Sequence, residues 1–227
     1  MIVREAYILA GPTASGKSAI AAELAREMGA WILSADSMLV YRGMDIGTAK
    51  PSAAEREEFH MGGVDIVTPA EEFSSGAWLR SAARWLEDVP ADRPVIIVGG
   101  TGLYYSALLR GLDRKWESPA PEYPVVRIDR ATVRARIAAR LDDMFMSGLE
   151  EEKHRLHELY PVWSRTASLA IGYREGDDRE RIRIRTCQLA KRQDTWFRHQ
   201  ATPLYVDPTV DAVRALWNAR GPWRVAL

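Results

Sequence analysis

The stretch Gly11-Pro12-Thr13-Ala14-Ser15-Gly16-Lys17-Ser18 narrows what this chain can fold into more than any other. It follows the apolar run 6–10 and opens a helical segment at 19–28, so the local order is strand, glycine loop, helix. Glycines at both ends allow the backbone N–H groups of the loop to wrap around phosphate oxygens. The helix that follows aims the positive end of its dipole at the same point. Lys17 supplies a point charge for the terminal phosphates, and the Ser18 hydroxyl is placed to ligate Mg²⁺. A glycine-rich turn used only for packing is the alternative, and the strand and helix on either side argue against it. Such a P-loop binds a di- or triphosphate. It does not say what is transferred, or to what.

The rest of the chain supplies the sheet around this loop. Residues 31–34 read as a second buried strand, which leaves Asp36 near the strand's C-terminal end, where open parallel sheets face their ligand crevice. Residues 42–51 carry glycines and no apolar period, and their length predicts a functional loop. Trp78, Ala82, Trp85, Leu86 and Val89 recur at helical spacing over 74–89 and predict a core-facing helix. The run 94–98 is the clearest buried strand and ends in Gly99-Gly100-Thr101-Gly102, a second glycine-rich turn. It brings the Thr101 hydroxyl to the same crevice, or serves packing alone.

Further on, proline and charge over 113–124 predict a surface connection, and 125–128 a further strand. Thr132 is the expected cap of a helix with Val133, Ile137, Leu141 and Met144 inward. Arg136 and Arg140 share a face of that helix, either as a solvated basic face or as guanidinium groups closing over phosphate. Residues 178–200 read as one long helix whose basic side chains interleave with Trp196 and Phe197. That combination suits nucleic acid, although Asp177, Asp178 and Glu180 also offer simple surface pairing. A strand at 204–206 and a helix at 210–218 finish the sheet. The expectation is one P-loop NTPase-like α/β domain over 1–227: a mainly parallel sheet of about five strands with helices on both faces, and the helical segment 132–200 covering the crevice.

Bulk properties exclude several classes. The 31 Lys and Arg residues balance 31 Asp and Glu, so there is no global basic field, though a local stripe suffices for RNA. The single cysteine, Cys187, rules out an internal disulfide framework and fits a reducing cytoplasm. The N-terminal apolar run is too short for a signal peptide, and no segment approaches the roughly 20 apolar residues that cross a bilayer. A cytoplasmic monomer with no membrane partner is expected.

Several blocks, in this order, resemble the tRNA dimethylallyltransferase (isopentenyltransferase) family. They are the P-loop, Ser34-Ala35-Asp36-Ser37 with Tyr41, Met44 through Pro51, Gly99 through Tyr104, Ile171-Gly172-Tyr173-Arg174-Glu175, and Ala190-Lys191-Arg192-Gln193 with Thr195-Trp196-Phe197-Arg198. The resemblance touches nearly the whole chain and implies an unusual use of the P-loop. Gly11, Thr13, Ala14, Ser15, Gly16, Lys17 and Ser18, with Thr101 and Arg140, would hold the diphosphate of dimethylallyl diphosphate, with Mg²⁺ on Ser18. The acceptor would be the N6 amine of the adenosine beside the anticodon in tRNA. Asp36 would take the amine proton as general base, while Lys17, Thr101 and Arg140 stabilise the departing diphosphate. Ser37, Tyr41, Thr48, Lys50, Lys191, Arg192, Gln193 and Arg198 would contact the acceptor beside Asp36.

This sequence departs from the family in length. A helical insertion that grips the anticodon stem is absent near 113–124, and a second trim falls between Glu175 and Arg181. Shorter relatives, the adenylate isopentenyltransferases, prenylate free AMP, ADP or ATP, so a free adenine nucleotide is the alternative acceptor. The intact 47–51 loop and 191–198 block favour tRNA. Cys187 stands where an arginine is usual, and Met61 where a histidine is usual, with His60 one place earlier. A P-loop kinase or NTPase is the reading from another class, and no segment offers it a second, adenine-binding site.

Overall fold

The computed structural model describes residues 3–111 and 120–226; the connection expected at 113–124 lies, as far as residue 119, outside the described residues. In chain order the sheet strands are β1 (Val3–Ala10), β2 (Trp31–Ser34), β3 (Val95–Gly99), β4 (Glu122–Val126), β5 (Thr202–Val206) and β6 (Trp223–Ala226). They form one sheet in the order β2-β3-β1-β4-β5, parallel throughout that path. The apolar runs around β1 and β3 were legible because both strands are covered on two faces: Ile8, Leu9, Ile96 and Ile97 are fully buried. β6 is an addition to the expected sheet. It pairs antiparallel with the first half of β1, from Val3↔Ala226 to Ala6↔Trp223, while β4 meets β1 only at Ala10↔Val125.

β4 begins earlier than expected because Pro124 lies inside it, in register with Leu204. A proline is tolerated there since β1 pairs with β4 at one position only, and most of that edge of β4 asks for no N–H donor.

The helices are α1 (Lys17–Met28), α2 (Ala53–Glu58), α3 (Ser75–Asp88), α4 (Gly102–Arg110), α5 (Arg130–Met146), α6 (Leu149–Leu159), α7 (Arg179–Gln200) and α8 (Val210–Arg220). Right-handed crossovers sort them into layers. The β1-to-β2 connection runs one way across the sheet and puts α1 on one face, where it packs with α8. The β2-to-β3 and β3-to-β4 connections run the other way and put α3 and α4 on the opposite face, where α7 also packs on α4. Buried aromatics fasten these layers through their polar atoms. Trp78 donates to the Ser34 carbonyl at 3.0 Å, Tyr105 to Leu9 at 3.1 Å and Trp217 to Ile8 at 3.1 Å.

Two details of the helical reading change. The cap of α5 is Asp129, whose carboxylate accepts from the Thr132 N–H at 2.9 Å, so Thr132 lies inside the first turn. Helix α6 has no counterpart in the sequence reading, because its short apolar stripe is interrupted by Glu152 and Lys153, both buried.

β1 is the central strand, with the connections diverging on either side of it, and the C-terminal ends of β1, β2 and β3 open on one crevice. Gly99 fixes how closely the second and third of these approach. A Cβ on it would lie 2.2 Å from the Ala35 carbonyl oxygen, which already accepts the Thr101 N–H at 3.0 Å. Neither backbone can retreat without breaking the β2–β3 pairing. Gly99→Ala is therefore expected to cost about 1–3 kcal/mol, the usual range for an overpacked core position, read as a lower thermal midpoint with no ligand present.

Candidate active site

The loop between β1 and α1 has the conformation an anion site requires. Ala14 (φ 62°) and Gly16 (φ 92°) are left-handed, the alternation that turns successive backbone N–H groups inward as a nest. Lys17 is buried at the first position of α1 and donates to the Pro12 carbonyl at 3.2 Å. Burial pushes its amine down to about 8, with Asp36 opposing that shift and Arg140 adding to it. Three groups drawn from β1–α1, the end of β2 and α5 thus share one electrostatic neighbourhood.

The Arg136–Arg140 pair divides its labour. Arg136 reaches the backbone carbonyls of Ala14 (3.4 Å) and Ser15 (3.1 Å) and so braces the outside of the loop. Arg140 donates to the Thr13 hydroxyl at 3.4 Å and lines the cavity. Its guanidinium is held below its ordinary value by burial, against the pull of Asp36.

The second glycine turn arrives beside the first. Gln193 of α7 stitches them together: its Oε1 accepts the Thr13 N–H at 2.8 Å and its Nε2 donates to the Gly100 carbonyl at 3.0 Å. Thr101 Oγ1 accepts the Ser37 N–H at 2.9 Å and lies 3.2 Å from the Ser37 hydroxyl. Asp36 Oδ1 accepts the Met38 N–H at 2.9 Å, which fixes the carboxylate at the mouth of the crevice. Its other oxygen has no hydrogen-bond partner among the described residues.

These side chains line a cavity of about 510 Å³. Thr13, Asp36, Ser37, Thr48, Thr101 and Arg140 form its polar end. Ile137, Leu141 and Met144 of α5 and Ile182 and Leu189 of α7 supply apolar lining.

Other expected residues stand apart from it. Gly11, Ala14 and Ser15 are buried within the loop, and Ser18 is exposed at the start of α1. Lys50 is a correction: its side chain is fully buried and donates to the Tyr41 carbonyl (2.6 Å) and Asp65 (2.7 Å), with Asp45 at 2.6 Å. A buried ammonium must be paired, and here the pairing is internal, so it anchors the 42–51 loop from behind. Tyr41 is likewise fully buried, with no surface for an acceptor. Arg192 lines the cavity, while Lys191 lies with Arg192, Trp196 and His199 along an open groove on the outer face of α7. Arg198 is exposed and lies 3.4 Å from Asp194, outside both. Cys187 packs with Ala14, Val133, Ile137 and Ala190, so it fills space beside the P-loop. His60 stacks on Trp31, centroids 4.2 Å apart, away from the cavity.

The sequence reading nominated neither Arg174 nor Arg185, both on the cavity wall. Glu175, buried, holds them at 2.8 Å and 3.3 Å. The spacing 182, 185, 189, 192, 196 along one face of α7 was the signal available for Arg185. Around these residues nothing resembles a preformed metal cage: among the described residues no group of three or more His, Cys, Asp or Glu side chains could hold a metal ion. No helix among them is long and apolar enough to cross a membrane.

The chain is similar to known proteins in sequence and fold. A family model described as IPP transferase matches residues 39–127 and 116–200. A tRNA dimethylallyltransferase of Bordetella pertussis is 32% identical, the match covering 91% of this chain and 94% of that one. One from Stenotrophomonas maltophilia is 31% identical over 92% of this chain and 94% of its own. Among solved structures, the full-length tRNA isopentenylpyrophosphate transferase of Bacillus halodurans superposes with a TM-score of 0.80 at 25% identity, covering 95% of each chain. A eukaryotic dimethylallyltransferase acting on tRNA shares the fold, with a TM-score of 0.74 at 20% identity over 96% of this chain and 76% of its own.

Proposed function

The chain belongs to the IPP transferase family, and from that premise we propose that its cavity transfers a dimethylallyl group from dimethylallyl diphosphate to the N6 amine of the adenosine beside the anticodon in tRNA. The observation that carries this reading is the composition of the cavity. Thr13 of the phosphate nest, Arg140, the apolar side chains Ile137, Leu141 and Met144, and Asp36 line one cavity, and Lys17 behind the loop is electrostatically coupled to Asp36 and Arg140. The aliphatic side chains suit the five-carbon allylic chain of a prenyl diphosphate, which has no hydrogen-bonding groups of its own.

The chemistry follows from these placements. As the allylic C–O bond breaks, the electron pair leaves with diphosphate, and the nest, Lys17, Arg140 and the Thr101 hydroxyl hold the charge that develops. The adenine amine is a poor nucleophile because its lone pair is delocalised into the ring. Asp36 accepts a hydrogen bond from the N–H, fixes the nitrogen against the allylic carbon, and takes the proton as the N–C bond forms. The base must leave its stack to enter the crevice, as other base-modifying enzymes require. Mg²⁺ fits as a companion of the donor: the exposed Ser18 hydroxyl at the start of α1 would offer one oxygen ligand, and Mg²⁺ is commonly bound by one or two protein oxygens together with substrate phosphates and water. When bound it supplies further charge neutralisation at the diphosphate. The lone cysteine supports a cytoplasmic site of action.

The chain is read as one α/β domain whose helical segment 132–200 covers the crevice, with the stem-gripping insertion absent near 113–124. The alignment to the Bordetella pertussis protein is 295 positions long against a chain of 227 residues, so it carries gaps opposite segments of the relative. The experiment is labelled dimethylallyl diphosphate offered in parallel with unmodified anticodon stem-loop, AMP and ATP. Stem-loop is expected to be prenylated, with an affinity that falls by about 0.7–0.9 log units per log unit of salt for each phosphate neutralised by residues such as Lys191 and Arg192. Efficient prenylation of AMP with no reaction on stem-loop would overturn the tRNA assignment and leave the donor site intact.

A further inference from the structure

No residue of α6 lines the cavity, yet this helix holds the two loops that do. Glu152, in its first turn, is 1% exposed. Its carboxylate accepts the backbone N–H groups of Asp45 at 3.1 Å, Ile46 at 2.9 Å and Gly47 at 3.2 Å, and the Tyr173 hydroxyl at 2.6 Å. The neighbouring Lys153, also buried, donates to the Gly176 carbonyl at 2.8 Å and pairs with Asp177.

The partners of Glu152 belong to separate loops. One is the 42–51 loop, which presents Gly47 and Thr48 to the cavity; the other is 170–176, which presents Ile171, Gly172 and Arg174. The Tyr173 ring closes on the first loop so tightly that a Cβ on Gly47 would lie 2.5 Å from it. Burial, and then the charge of Glu152 beside it, raise the Tyr173 hydroxyl well above its ordinary value, so it remains a donor.

A carboxylate withdrawn from water is a costly way to fill a core, and apolar residues of the same volume often serve stability as well. What a carboxylate does, and an apolar group cannot, is fix several converging N–H donors of an irregular loop in one geometry. We infer that Glu152 is a positioning residue for the acceptor: through Tyr173 it locks the 45–48 loop to the 170–176 loop, and so sets the cleft in which the adenine meets Asp36. The inference rests on the acceptor site proposed above.

The test compares wild type with Glu152→Gln, Tyr173→Phe and Asp36→Asn, using labelled dimethylallyl diphosphate and unmodified anticodon stem-loop, with rates normalised to folded enzyme. Glutamine keeps the shape but turns an NH₂ group toward backbone donors. It is expected to lower kcat/KM for stem-loop by about 10- to 100-fold, the scale of a misplacement of about 1 Å, while affinity for the donor alone is unchanged. Tyr173→Phe removes one donor and is expected to give a smaller loss of the same kind. If Glu152→Gln fails to fold, the Tyr173→Phe kinetics decide. A lowered thermal midpoint with kcat/KM unchanged in the folded fraction would show a purely structural role and overturn the inference, as would an equal loss of donor affinity. A wild type inert on stem-loop, or an Asp36→Asn enzyme as active as wild type, would instead remove the acceptor site itself and the inference with it.

Discussion

Asp36→Asn is expected to lower kcat by about 10²-fold or more, the usual scale for loss of a general base, with donor affinity close to wild type. Asparagine preserves the acceptor oxygen that receives the Met38 N–H at 2.9 Å, so the turn after β2 should survive. What it cannot do is take a proton from the amine. Steady-state rates on stem-loop, with donor binding measured separately by equilibrium titration, distinguish the roles. If kcat is unchanged at every pH, Asp36 is a structural residue of the turn and water takes the proton.

Lys17→Ala should reduce turnover by about 10³-fold and weaken diphosphate binding, since the lost charge acts on both the bound donor and the departing group. The depressed amine adds a signature that the substitution must erase. With its amine at about 8, Lys17 is largely charged below that pH and neutral above it in the free enzyme. Donor binding restores the proton, so affinity should fall as pH rises through 8, approaching tenfold per pH unit. In Lys17→Ala that limb should be missing. A wild-type donor affinity that stays level from pH 7 to 9.5 would place the charge on the diphosphate elsewhere, with Arg140 the next group to test. Stability runs the opposite way and rises with pH above 8 as the charge is lost. A lysine depressed on folding opposes the fold while charged, so removing it should stabilise the free protein most below pH 8.

Position along the chain explains why much of this site could be read in advance. The P-loop, the turn at Gly99 and the placement of Asp36 depend on local chemistry. Glycines sit where the backbone must turn left or approach closely, apolar runs sit where strands are covered on both faces, and functional groups follow at the strand ends. Parallel strands oriented by right-handed crossovers then leave those ends on one edge, so Thr13, Asp36 and Thr101 had to converge. The α7 helix that closes the cavity was visible, with Arg192 on its inner face, and the same spacing also carried Arg185.

Tertiary structure decided where long side chains point and which buried charges meet. Arg136 and Arg140 are equivalent by spacing, and only the height of each along α5 against the P-loop separates a brace from a cavity residue. Lys50 sits in a loop with every appearance of a ligand contact, but Asp45 and Asp65 capture it from behind. Glu152 left no signal, because most of its partners are backbone N–H groups more than a hundred residues earlier, which carry no residue type, and the other is the Tyr173 hydroxyl in a separate loop. β6 is of the same kind: four residues become a strand only because β4 leaves the first half of β1 unpaired. The sequence by itself determined the central parallel strands and the groups at their C-terminal ends, since short-range sterics and apolar period set both. The satisfaction of buried polar groups was settled by distant segments, because a desolvated charge takes whichever donor the fold brings to it.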